Sequence, residues 1–147
     1  MAMAHWLQAV TDEDAAALRS DPSSIERLDT PLSCWTHLYA AVEYFAGPLK
    51  SGESLTTARL ETGWFHLLST DDVTENAQRL TGMDLERLRE QVRRADFDEL
   101  IDEHELYELE LLDAAEAPDF IADETERLAD FYTEAAGKNL GVVFYIT

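Results

Sequence analysis

The sequence predicts an α+β fold, with a small mixed sheet containing the N- and C-terminal strands and several helices packed on it. Three observations carry this. Leu140-Gly141-Val142-Val143-Phe144-Tyr145-Ile146 is a nearly continuous apolar run rich in β-branched and aromatic residues, the pattern of a strand covered on both faces. A strand needs neighbours for its backbone groups, and the opening stretch from Met1 to Val10 offers His5, Trp6, Leu7 and Val10 for one. Between these ends, capped segments with apolar residues at helical spacing recur along the chain.

In chain order, Thr11 is a good N-cap for a helix to about Arg19, with Asp12, Glu13 and Asp14 in its first turn and Asp21-Pro22 as its stop. Ser23 or Ser24 starts a short turn through Ile25 and Leu28. Pro31 then opens a longer helix, because Trp35, Leu38, Tyr39, Val42 and Phe45 form an amphipathic stripe that Gly47-Pro48 ends. Residues 48–58 read as a loop, and Arg59–Leu68 as a strand or extended passage. Ser69 caps the next helix, whose buried face is Val73, Ala77 and Leu80, and Asp72 stands at the capping-box position. Asp84 caps another, buried through Leu85, Leu88 and Val92, with Arg87, Arg89, Arg93 and Arg94 outward. Phe97, Leu100 and Ile101 suggest one helical turn and Leu106, Tyr107, Leu109 and Leu112 a second. Ala117-Pro118 breaks the chain before a last helix from Asp123, carrying Leu128, Phe131, Tyr132 and Ala135 on one face. Gly137 is placed to end that helix in the left-handed conformation, with Lys138 suited to its dipole.

Composition narrows the function. A chain of 147 residues that is 46% hydrophobic most simply makes one domain with a sizeable core. No apolar run is long enough to span a membrane, and the N-terminus lacks a signal-peptide pattern, so a cytoplasmic protein is expected. The single Cys34 excludes an internal disulfide framework and a multi-cysteine zinc site. The net charge of −20 argues against nucleic acid and anionic lipid as partners, and permits a basic protein. Acidity that merely reflects the host or aids solubility is the plainer alternative.

Several stretches together resemble the YfbM-like family of small bacterial proteins of uncharacterised function. These are Met1-x-Met3 before an aromatic strand, Leu28-Asp29 followed by Cys34-Trp35 and an aromatic-rich helix, and the run from Gly63-Trp64-Phe65-His66 to Ser69-Thr70-Asp71-Asp72-Val73, where the family has a Gly-Tyr-Gly-Pro-like turn before a capped helix. The last is Leu128-Ala129-Asp130-Phe131-Tyr132-Thr133-Glu134-Ala135-Ala136 leading to Val142-Val143-Phe144-Tyr145-Ile146. The order of these pieces along most of the chain carries the resemblance. The sequence departs from the pattern where Leu32 and Ser33 stand near an expected lysine, and where Phe65 and His66 replace a glycine and a proline. The resemblance implies one YfbM-like α+β domain over residues 1–147 and no established catalytic residues.

Candidate chemistry is sparse. Cys34 and His37, at i and i+3 on the expected helix, could make a nucleophile and base, but a small buried thiol is the commoner situation. His104 and Glu108, at i and i+4, fall short of the three or four ligands a metal site needs. No phosphate loop or hydrolase signature is present, and no cofactor is expected. Two function classes remain. One is a non-enzymatic, acidic protein-binding module, concretely an immunity or inhibitor protein that neutralises a basic toxin, binding through Asp98, Glu99, Asp102, Glu103, Glu105, Glu108 and Glu110 as a monomer or weak dimer. The other is an enzyme or small-ligand binder with a pocket near Trp35, Tyr39, Trp64 and His66.

Overall fold

The computed structural model describes residues 4–28, 32–55 and 65–146. Five strands, β1 (His5–Val10), β2 (Ser33–Thr36), β3 (Glu53–Ser54), β4 (Phe65–Leu68) and β5 (Gly141–Ile146), form one sheet in the order β2-β1-β5-β4-β3. Every pairing is antiparallel, where the sequence suggests a mixed sheet. β5 is central, with Leu7 opposite Phe144 on one side and His66 opposite Phe144 on the other. The strands from the two ends of the chain are therefore immediate neighbours, as expected.

Alternation along the strands sorts the side chains onto two faces. Leu7, Ala9, Cys34, Leu68, Val142 and Phe144 join the main core, beneath helices α2 (Tyr39–Ala46), α3 (Thr70–Thr81), α4 (Leu85–Arg94) and α6 (Ala117–Gly137). Val10, Leu67 and Val143 face the other way and are covered by Leu18 of helix α1 (Asp12–Ser20) and by Ile25 and Leu28, from and just after the Pro22–Arg27 3-10 helix. Coverage on both faces is the reason β5 has no polar alternation. Gly52 turns the chain into β3 with φ +73°, and a side chain there would collide with the Leu67 carbonyl, so only glycine fits without strain.

Local capping chemistry sets most helix starts. The Thr11 hydroxyl accepts from the Asp14 N–H at 3.1 Å and the Asp14 carboxylate accepts from the Thr11 N–H at 3.4 Å, a complete capping box. Ser69 and Asp84 cap α3 and α4 as read from the sequence. Four expectations need correction. The long helix from Pro31 is instead the strand β2, a bend and the short α2. The edge of β1 recruits Cys34, Trp35 and Thr36, and the Thr36 hydroxyl then accepts from the Leu38 N–H at 2.9 Å just before α2 begins. The last helix starts at Ala117, because Pro118 occupies its first turn, where the missing N–H costs nothing. Gly137 lies within α6; Asn139 takes the left-handed turn at φ 54°, and the Leu140 N–H closes on the Ala135 carbonyl at 2.9 Å. The loop expected at 48–58 contains β3, and the described part of the extended passage from Arg59 is the strand β4, its earlier part lying outside the described residues.

Candidate functional site

The acidic stretch folds as helix α5 (Phe97–His104) followed by a 3-10 helix, Tyr107–Leu111. The Asp96 carboxylate starts α5 by accepting from the Glu99 N–H at 3.3 Å. Leu100, Leu106 and Leu109 anchor the segment to the core, which turns its carboxylates outward. Asp98, Glu99, Asp102, Glu103, Glu105 and Glu110 are all exposed, and Glu105 ends α5 in the left-handed conformation at φ 57°. Most of the described cations are engaged elsewhere. Arg89 meets Asp119 at 3.1 Å, Arg93 and Arg94 share Glu90, and Arg127 holds Glu124 at 2.7 Å. Among the described residues no lysine or arginine pairs with any of those six carboxylates. Arg89, Arg93 and Arg94 of α4 thus answer carboxylates of α4 and α6, and none of them reaches α5.

Glu108 departs from the set. It is 7% exposed, on the 3-10 segment facing α2, and its Oε1 is buried without a hydrogen-bond partner. It cannot face a partner as the sequence suggests. Burial raises its carboxyl above the ordinary glutamate range, partly offset by the backbone N–H groups of Glu108 itself and Ala41. The folded state therefore holds this proton to higher pH than the unfolded chain does. Stability attributable to the group is full below the unfolded value and falls as pH rises from there through the folded value. Glu108→Gln is expected to raise stability by about 1 kcal/mol near pH 7 and to change little near pH 4, read from urea midpoints at both. Equal effects at the two pH values would contradict the burial argument.

The aromatic pocket does not assemble as expected. Trp35 lies on the outer sheet face, 47% exposed, and stacks on Trp6 at 5.9 Å. Trp6 stacks on Tyr145 at 6.3 Å, and Tyr145 on Phe65 at 5.3 Å, so one ring from each of β2, β1, β5 and β4 forms a row. The rings face each other and His37 covers Trp35 edge-on at 5.1 Å, which leaves edges rather than faces outward. Tyr39 and His66 lie on the inner face instead, both against Phe144, at 5.7 and 4.8 Å. Trp64 lies outside the described residues. Tyr39 also meets Tyr132 hydroxyl to hydroxyl at 3.2 Å, and Asn76 joins this buried group. Burial raises both phenols, Tyr132 to about 12.

The Cys34 and His37 pairing is overturned because both leave the expected helix. Cys34 sits on β2 facing the core, where burial raises its thiol, and His37 turns to the outer-face ring of Trp35. A raised thiol is a poorer nucleophile at neutral pH. His104 and Glu108 also part company, since α5 stops at His104 and Glu108 points inward. Among the described residues no group of three or more His, Cys, Asp or Glu side chains is placed to hold a metal ion. No described helix is long and apolar enough to cross a membrane. Sequence reading also missed a cavity of about 450 Å³ beside Glu43, Tyr44 and His104, residues brought together only by tertiary packing.

A family model described as "Domain of unknown function (DUF1877)" matches residues 36–145. Among solved structures, an Escherichia coli protein of unknown function, YfbM, is similar over 98% of this chain and 99% of its own, with a TM-score of 0.63 and 15% sequence identity. That likeness concerns the fold. No curated protein matches.

Proposed function

Since the chain belongs to the DUF1877 family, whose description assigns no activity, we propose that it acts as a non-enzymatic protein-binding domain whose acidic surface meets a basic partner. The supporting observation is the set of six exposed carboxylates between Asp98 and Glu110, close together in the chain and without a described cation paired to them. Uncompensated like charge on one surface destabilises the folded protein slightly and steers an oppositely charged partner. The concrete version is an inhibitor of the immunity type that covers the basic site of a toxin. Such a role needs surface charge and a stiff support, both of which α5 and its leucine anchors supply. The ligand-pocket alternative loses support, since Trp35 and Tyr39 occupy opposite faces of the sheet.

The test compares capture from native lysate by the unaltered protein and by a variant carrying Asp98→Asn, Glu99→Gln, Asp102→Asn and Glu103→Gln. A basic protein should be recovered at about 0.1 M salt by the unaltered chain, be lost with the variant, and weaken sharply at about 0.5 M salt. Identical recoveries by both chains, or no basic protein with either, would reject the reading.

A further inference from the structure

We infer that the cavity lined by Glu43, Tyr44, Pro48, His104 and Leu106 is a receptor for one arginine side chain of a basic protein partner. This rests on the proposed function for the kind of partner, but stands on its own geometry. The cavity is a shallow depression open to solvent, about 450 Å³, with room for a guanidinium and its aliphatic stem. One wall is Tyr44, 46% exposed and one of the few large side chains left open on the helical side of the molecule. The His104 ring leans on Tyr44 at 5.2 Å and 55°, which steadies it at the mouth. Pro48, Gly47, Ala40 and Leu106 supply an apolar lining.

Glu43 decides the sign of the occupant. Its carboxylate is partly desolvated, which raises its carboxyl above the ordinary glutamate range with only a partial offset from the Leu49 backbone N–H, and no described cation pairs with it. An anion entering here would meet that charge and the −20 of the whole chain. An apolar group would strip more water from the carboxylate and give nothing back. A cation gains both the carboxylate and the negative face of the tyrosine ring. Two helix C-termini add to this, since α2 ends at Ala46 and α5 at His104 beside the cavity, and their free carbonyls favour positive charge. Arginine suits the site better than lysine, because its planar fork pairs with a carboxylate while its face lies on the ring. Tyr44 also borders a second cavity, which carries Arg94 and is the poorer place for a cation. Asp102 and Glu103 immediately precede His104, which puts the receptor beside the acidic surface and supplies an aromatic anchor next to its charge.

A backbone-amide NMR titration with N-acetyl-arginine amide tests this, with the uncharged N-acetyl-citrulline amide as control. Saturable shifts are expected at Ala40, Tyr44 and His104, with a Kd on the order of millimolar, and none with citrulline. Glu43→Gln keeps an acceptor for the Leu49 N–H and should weaken binding about tenfold. Tyr44→Ala, at an exposed position, should weaken it comparably. Absent or unsaturable shifts, shifts spread along α5, or equal binding by the Glu43 variant would overturn the assignment. Tighter saturation by spermidine than by the arginine amide would overturn the choice of a protein side chain as the source. Because no partner is needed, the outcomes separate. Charge-dependent capture without this titration removes only the receptor, and the titration without capture removes only the acidic-surface reading.

Discussion

Phe144→Ala is expected to lower the unfolding free energy by about 3–5 kcal/mol, much of the margin of a domain this size. Phe144 sits on the central strand, 6% exposed, with neighbours in register on both sides. Its ring is the hub of the inner-face aromatic group, against His66 at 4.8 Å, Tyr39 at 5.7 Å and His5 at 6.0 Å. Truncation loses the transfer energy of the ring and leaves a void that the strands, held by two ladders, cannot close. It also loses three ring contacts, each worth about 0.5–1.5 kcal/mol beyond area. Phe144→Leu should cost less than half as much, because most of the volume remains. Urea denaturation of both variants provides the comparison. A loss under about 1 kcal/mol for the alanine variant would mean that the inner face is loosely packed.

The second large effect is expected for Asn76→Asp, a change of one atom. Asn76 is 1% exposed on α3. Its Oδ1 accepts from the Lys50 N–H at 2.7 Å and its Nδ2 donates to the Lys50 carbonyl at 3.1 Å, so the side chain copies a strand partner and pins the segment after α2. A carboxylate keeps the first bond and opposes the second, placing two acceptors face to face in a buried site. Destabilisation on the order of 3 kcal/mol is expected near pH 7. The penalty belongs to the ionised form, so it should shrink near pH 4, where the new group can take a proton and donate again. A loss that does not depend on pH would point to simple misfit instead.

Local signals told where several elements begin. Ser69 and Asp84 announce α3 and α4 because an N-cap acts within three residues, and the apolar run of β5 is legible because burial on both faces removes polar alternation. β2 was hidden by coincidence. Trp35, Leu38 and Tyr39 fit a helical stripe, yet Trp35 belongs to a four-residue strand whose only cause is the unpaired edge of β1, a non-local need that no window on the sequence contains. The acidic surface was legible as a run of carboxylates, but not that Glu108 turns inward, since a 3-10 turn sorts faces by threes where an α-helix sorts them by 3.6. The cavity beside Glu43 and His104 joins residues about sixty positions apart, and nothing in either neighbourhood marks the other.

The position of β5 also sets a schedule. Every other described element leaves the ribosome before it, yet β1 and β4 can hydrogen-bond to the rest of the sheet only through it. A nascent chain halted near Lys138 holds two unjoined flaps, β2 with β1 and β3 with β4, and helices with no floor. Closure of the sheet must wait for synthesis to pass Ile146, and it then pairs His5 with Ile146, residues far apart in sequence, the slow kind of closure.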